Sequence, residues 1–387
     1  MNHGWEKKKI EELCVPKKGI LRASVKYKAE DIIEYVDISS IDRNSHQISH
    51  TSNYIFKDAP SRAQQVIVRN DILLSLVRPN LKNIACVSLD NSNLIASSGF
   101  CVLRSFGTLP RFLLYVITND CFTDKLVAKC AGAAYPAVRE EDVRSILIPV
   151  PPMEVQAQIV SELDKINELI AVKRSQLKDL DALAQSLFNE TFSSIGETVP
   201  LSFYVNALVG GKSLASKEVS PNKVLKSGAV TYDYFDKNST KYLPVDYTPD
   251  AEHSVSTGDL IISRMNTAEL VGACAYVFDV DDNVYLPDRL WRIEYKSNAN
   301  PIYLWKSLIS ESAKWQIRSK ASGTSGSMKN ISKPLLLSIN IKKVPISIQQ
   351  QFAERIEAIE AQKKRVEASI ADLETLLASR MDYWFND

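Results

Sequence analysis

The chain has 387 residues, 45% of them apolar, and its 47 Lys and Arg nearly balance 46 Asp and Glu for a net charge of +1. That is more chain than one ordinary domain needs, with material for two cores. No run of 18 apolar residues occurs and Met1-Asn2-His3-Gly4-Trp5-Glu6 has no export-leader pattern, so a soluble, cytoplasmic protein without membrane contact is expected. The six cysteines (Cys14, Cys86, Cys101, Cys121, Cys130, Cys274) show no zinc or redox spacing and read as reduced thiols.

In chain order, a lysine-rich start runs from Trp5 to Gly19, and a polar stretch from Asp37 to Asn53 contains Arg43-Asn44-Ser45-His46-Gln47. Asp71-Ile-Leu-Leu-Ser-Leu-Val77 is a short apolar run that reads as a buried strand. It empties into Arg78-Pro79-Asn80-Leu81-Lys82-Asn83, a polar turn stiffened by proline. Pro110-Arg-Phe-Leu113 opens a helical pattern with Pro in the first turn, and Ala131-Gly132-Ala133-Ala134-Tyr135-Pro136 is a loop of small residues. Pro152-Met153-Glu154-Val155-Gln156 then opens a long apolar-periodic helix ending near Phe192.

The second half repeats this order. Asp259-Leu-Ile-Ile-Ser-Arg-Met265 answers the first strand, Pro301-Ile-Tyr-Leu304 the first helix, and Ala321-Ser-Gly-Thr-Ser-Gly-Ser327 the small-residue loop. Pro345-Ile-Ser-Ile-Gln349 opens a second long helix, matched to the first at a constant offset of 193 residues: Pro152 with Pro345, Gln156 with Gln349, Leu163 with Ile356, Phe192 with Phe385. A register held over that length makes the chain two copies of one unit. Between the matched islands the residues differ, so one frame carries two different faces.

Reading each long helix at alternating spacings of four and three gives an apolar seam from Ile159 to Leu187 broken only at Lys173, and another from Phe352 to Arg380 broken at Lys363 and Arg380. This is coiled-coil patterning, roughly 43 Å of it per helix at ~1.5 Å rise per residue. The expected architecture is α+β (mixed α/β): two pseudo-repeated globular domains joined by a long antiparallel two-helix coiled coil. The expected boundaries are a first domain at 1–150, a central helical spacer at 151–192, a second domain at 193–343 and a C-terminal spacer at 344–387. Residues 1–151 carry a charge of +4 and 193–344 carry +3, whereas 152–192 and 345–387 each carry −3. Basic domains suit a polyanion and acidic helices suit protein partners, with Glu162, Asp179, Asp181, Glu357 and Glu374 as candidate docking residues.

With its Pro-Pro-x-x-x-Gln-x-x-Ile opening at 151–159, the heptads behind it, the degenerate copy from Pro345 and the Asp-Ile-Leu-Leu-Ser type strand in each half, the chain resembles the specificity (S) subunit of type I restriction-modification enzymes over nearly its whole length. The resemblance implies a host-defence protein that binds double-stranded DNA through two target-recognition domains, each reading half of a bipartite asymmetric site. It implies no catalysis and no cofactor in this chain. Two methyltransferase (M) subunits carrying S-adenosylmethionine, and restriction (R) subunits using ATP and Mg, would assemble on it. The second copy has Val344-Pro345 where the first has Pro151-Pro152.

Base edges are read by Arg, Asn, Gln, Lys, Ser and Thr, and phosphates are gripped by cations or close backbone. Candidate DNA-binding residues are therefore Arg43 and Asn44; Arg78, Asn80 and Lys82; Tyr135 and Arg139; Arg264, Asn266 and Thr267; and Ser325, Lys329 and Asn330. Arg62 and Gln64 are weaker candidates. Enzyme chemistry is not legible: no Asn/Asp-Pro-Pro-Phe/Tyr loop occurs, and Gly210-Gly211-Lys212-Ser213 lacks a P-loop's first glycine, that position being Asn206. His46 and His50 lack the glutamate of a zinc-protease helix. The rival reading is an interaction scaffold whose coiled coil binds only protein.

Overall fold

The apolar run after Asp71 forms the strand Ile72–Ser75, flanked antiparallel by Phe100–Leu103 and Ile84–Cys86. Both faces are covered, which is why the run is continuous rather than alternating. Ile72, Leu74, Ile84, Cys101 and Leu103 face a helical layer with Phe112 and Val116, while Leu73, Ala85, Phe100 and Val102 face Val36, Leu94 and Ala96 of a second sheet. That sheet runs Ser52–Ile55, Ile32–Val36, Leu94–Ser97, Ala63–Val66, with one parallel pair at its centre. The computed structural model describes residues 4–130, 136–325 and 328–386, and it divides into two units: Met1–Arg174 with Ala368–Asp387, and Ser175–Glu367.

The second unit is built to the same plan. Leu260–Ser263 lies between Leu290–Tyr295 and Cys274–Tyr276, with Val205–Gly210 on the far edge. The two-period repeats: Leu260, Ile262, Cys274 and Trp291 face one core, Ile261, Ala275 and Leu290 the other. Each unit is closed by a short antiparallel pair, Glu6–Lys9 with Leu147–Val150 in the first and Thr198–Pro200 with Asn340–Lys342 in the second. Gly210-Gly211 ends a strand; a Cβ on Gly211 would stand 1.9 Å from the Leu286 carbonyl oxygen, so the pair serves close packing.

The Pro-x-x-x-Gln signature now has a physical cause. Gln156, 1% exposed, accepts the Leu109 N–H (3.0 Å) and donates to the Pro151 carbonyl (2.9 Å), tying the start of the long helix Met153–Phe192 to the start of Pro110–Thr118. Gln349, 0% exposed, accepts the Asn300 N–H (2.8 Å) and donates to Val344 (2.8 Å) and Asn298 (3.1 Å), tying Ile346–Phe385 to Pro301–Leu308. Two buried amides do the same work 193 residues apart.

Both long helices are continuous over 40 residues, and all of the seam positions read from the sequence are buried or half-buried. Within the first unit the start of the central helix runs antiparallel to the end of the C-terminal one. Glu162 accepts from Arg380 and from Trp384 Nε1 (3.1 Å), Arg174 pairs with Glu374 (2.8 Å), and Phe385 packs on Phe112 at 5.8 Å. Within the second unit Asp181 pairs with Lys363 (2.7 Å) and Phe192 packs on Phe352 (4.9 Å) and Tyr303 (5.2 Å). Three of the five acids singled out for partner docking, Glu162, Asp181 and Glu374, are thus engaged in pairs between the two helices; Asp179 and Glu357 are exposed. No described helix is long and apolar enough to cross a membrane.

Candidate nucleic-acid interface

In the first unit the polar turn after Ile72–Ser75 is a single 3-10 turn, Pro79–Leu81, bracketed by two left-handed residues, Arg78 (φ 51°) and Lys82 (φ 49°). Non-glycine residues in that region are uncommon and persist where the surroundings hold them. Here the holding bonds run to the segment after the small-residue loop: Arg78 N–H donates to Pro136 (2.8 Å), Val77 bridges Ala137, and Val138 N–H donates to Leu76 (2.9 Å). Asn80 is exposed on the turn. Lys82 is paired with Asp120, so its charge is partly committed within the protein.

The strands Ile41–Asp42 and Gln47–Ile48 form a hairpin whose tip carries Arg43, Asn44, Ser45 and His46. Arg43 Nε donates to Oδ1 of Asn83 (2.7 Å), a residue 4% exposed, which brings the tip onto the Arg78 turn. Asn44 N–H is accepted by Asp42 (3.0 Å), leaving its exposed side chain outward. His46 is left-handed (φ 52°); burial pulls its pKa below the ordinary 6.5, so it stays neutral at neutral pH and is no phosphate cation. Arg139 is exposed at the start of the helix Glu140–Arg144, one residue beyond the Val138 contact. Tyr135 lies outside the described residues.

The second unit brings its two candidate segments into one ribbon. Met265–Asn266 pairs with Met328–Asn330, which pairs with Ser322–Ser325, so that Asn266 sits opposite Lys329 and Met265 opposite Asn330. Ile331 N–H donates to the Arg264 carbonyl (3.0 Å), the counterpart of the Val138 to Leu76 bond in the first unit. Arg264 lies over the Trp291 ring at 5.6 Å, and its buried Nε and the buried Oδ1 of Asn330 have no hydrogen-bond partner. Lys329 Nζ donates to Gly323 (3.0 Å); Thr267 is exposed; Ser325 ends its strand. Sequence reading missed Trp291 and Lys333, whose ammonium also lies over that ring at 5.7 Å. Lys333 follows Asn330 by three positions and could have been flagged as a continuation of the Lys329 cluster.

Both units therefore show polar turns leaving the same end of a matched sheet on a shared backbone hydrogen-bond pattern. Among the described residues no group of three or more His, Cys, Asp or Glu could hold a metal ion. The arrangement can contact a polyanion by cation, amide and backbone. These features define a tandem α/β protein with paired helices.

A family model described as the type I restriction modification DNA specificity domain matches residues 2–181 and 211–375, and the chain belongs to that family. It is 26% identical over 189 residues to the HindI specificity subunit of Haemophilus influenzae (48% of this chain, 40% of the relative) and 21% identical over 280 residues to the EcoKI specificity subunit of Escherichia coli (67% and 60%). The chain thus spans less than two thirds of these relatives' lengths. In fold it resembles a solved chain from work on assembly and conformational transition of the type I R-M system, with 24% identity, TM-score 0.61, and coverage of 98% of this chain and 96% of that one. It also resembles the S subunit of a type I restriction-modification system from M. genitalium, with 16% identity, TM-score 0.54, and coverage of 99% and 96%.

Proposed function

We propose that this chain is the DNA-specificity subunit of a type I restriction-modification complex. Each unit reads one half of a bipartite, asymmetric duplex site, and the long helices set the unread gap. The observation that carries the reading is the family match across both halves, together with matched backbone frames that display different polar tips. Reading a split site requires just that: one presentation device, two sets of base contacts. Base contacts are assigned to Arg43, Asn44, Asn80, Arg264, Asn266 and Asn330, and backbone or phosphate contacts to Arg78, Lys82, Arg139, Thr267, Ser325 and Lys329, with Tyr135 a further candidate.

The chain itself is not catalytic in this reading. Two M subunits using S-adenosylmethionine supply adenine methylation, R subunits using ATP and Mg supply cleavage, and the chain acts in the cytoplasm. The test is selection of duplexes from a randomised library by the full-length chain with its M subunits. A split motif with a fixed gap is expected, with affinity falling steeply as salt rises. Enrichment of no motif refutes the proposal.

A further inference from the structure

Tyr232 and Tyr234 are 71% and 56% exposed, yet the turn carrying them is tightly held. Ala229 and Val230, both fully buried, accept the N–H groups of Asp236 (2.9 Å) and Asp233 (3.1 Å). Asp233 itself is left-handed (φ 65°). Its Oδ1 accepts the Cys274 N–H (3.1 Å), its carbonyl accepts Trp305 Nε1 (3.1 Å), and its other oxygen pairs with Lys314. Phe235 packs inward against the neighbouring core. The two tyrosine rings stack with centroids 6.3 Å apart and planes 17° from parallel. A turn held in this way loses little backbone freedom when its rings bind something.

The matched place in the first unit identifies what that something is. Cys274 pairs with Ile262 on the central strand, and Ile84 pairs with Leu74, the residue equivalent to Ile262 in the two Asp-initiated strands. The outer edge at Ile84 is covered by His46, also left-handed, whose Nδ1 meets the Ile84 carbonyl (3.0 Å) and whose carbonyl accepts the Cys86 N–H (3.3 Å). Both units therefore dock a left-handed residue on the same strand edge. One docked turn displays Arg43, Asn44 and Ser45; the other displays Tyr232 and Tyr234. The second turn lies off the sheet end where Arg264 departs, since Gly272 N–H, two residues before Cys274, donates to Ser263 (2.9 Å). Of the lysines in residues 223–241, Lys223 and Lys237 pair with Asp281 (3.4 Å) and Asp279 (2.7 Å), and Lys226 and Lys241 are exposed.

We infer that Tyr232 and Tyr234 are the second unit's counterpart of the 43–45 tip, an aromatic pair on a firmly held turn that lies against DNA bases in that unit's half-site. The inference rests on the DNA-specificity reading. Arginine and asparagine suit hydrogen bonds to base edges, whereas ring faces suit thymine methyls and partly unstacked base steps. Exchange of one chemistry for the other on a common support is what gives two halves different preferences.

The test compares library selection and duplex affinity for the full-length wild type, the double variants Tyr232→Ala/Tyr234→Ala and Tyr232→Phe/Tyr234→Phe, and Arg43→Ala/Asn44→Ala, each with and without M subunits. The tyrosine-to-alanine variant is expected to lose information in one half-motif and about tenfold or more in affinity. The phenylalanine variant retains both, and the Arg43/Asn44 variant loses the other half-motif. An alanine variant with wild-type motif and affinity overturns the inference and leaves the specificity reading standing. Equal loss in the phenylalanine and alanine variants overturns the ring-face contact, and loss of M-subunit association with DNA affinity intact reassigns the pair to a protein contact and overturns it. A wild type that enriches no motif removes the specificity reading and the inference with it.

Discussion

Replacing Gln156 by leucine keeps the side-chain volume but removes an acceptor and a donor. The Leu109 N–H and the Pro151 carbonyl lose partners 3.0 and 2.9 Å away at a site 1% exposed. A buried backbone group left unsatisfied costs ~1–3 kcal/mol, and the Leu109 side of the site is only partly buried, so the expected loss is about 2–3 kcal/mol. Gln349→Leu severs three bonds and should cost about 3–4 kcal/mol. For units of this size 1 kcal/mol moves the midpoint by ~2–4 °C, so Gln156→Leu should lower the first unit's transition by about 4–12 °C. Calorimetry measures the shift, and amide hydrogen exchange locates it. Faster exchange is expected in Pro110–Thr118 for Gln156→Leu and in Pro301–Leu308 for Gln349→Leu. Variants within about 0.5 kcal/mol of wild type, well under the ~1 kcal/mol floor for one orphaned group, refute the staple argument. So does exchange that rises equally in both units.

Glu162 is held below its ordinary pKa of 4.5, chiefly by the hydrogen bond from Arg380 and further by Trp384. A carboxylate depressed in the folded state stabilises above its unfolded pKa and loses that contribution as pH falls through the folded value. Glu162→Gln should therefore be less stable than wild type at pH 7, the gap closing below about pH 4.5; urea titrations at pH 7 and pH 3 check this, and a gap unchanged at pH 3 counts against it. Asp71→Asn strips a fully buried carboxylate from a bidentate Arg104 pair (both contacts 2.7 Å), with an expected cost of about 3 kcal/mol by thermal melting. Asp259→Asn, at the matched position, should cost under ~1 kcal/mol, because its carboxylate is already disfavoured by burial and asparagine can still accept the Ser256 N–H. Seven residues inserted in register into each long helix add ~10.5 Å of helical path, and the selected motif's gap should lengthen by about three base pairs; an unchanged gap argues against the helices as spacer.

The legible parts were those where one physical rule acts along consecutive residues. Helical spacing placed both seams, and the unbroken apolar runs after Asp71 and Asp259 located the central strands because both faces of those strands are buried. The sheet around them was not legible. Ile32–Val36, Ser52–Ile55 and Ala63–Val66 are short, mixed in burial and paired across long loops, so no local period marks them. At the candidate interface, composition could nominate Arg264 and Lys329 separately. Only the ribbon of Met265–Asn266 on Met328–Asn330 joins their two segments, with Asn266 opposite Lys329 and Arg264 bonded to Ile331. Tyr232 and Tyr234 were invisible because a left-handed aspartate between two tyrosines has no sequence mark, and its ties to Cys274 and Trp305 reach 41 and 72 residues along the chain.

The two units also show which bonds a duplicated frame keeps. Backbone and amide contacts persist: the Gln staples, and the bonds from Val138 to Leu76 and from Ile331 to Arg264. The ion pair beneath the strand does not. Arg104 grips Asp71, whereas the register places Glu294 opposite Asp259, and Arg292 two residues earlier on that strand donates to the carbonyls of Ser254 (2.6 Å) and Glu252 (3.0 Å); both aspartates keep a backbone N–H three residues back, Val68 to Asp71 (2.9 Å) and Ser256 to Asp259 (2.8 Å). A buried pair gains little over a well-made substitute, so one member can be replaced if the group left behind stays hydrogen-bonded. A backbone group has no such freedom, because its position is fixed by the fold and an orphan is costly. Divergence is thus channelled away from the hydrogen-bonded skeleton and into side chains on the turns it supports, which is where the proposed reading of two different half-sites needs its differences.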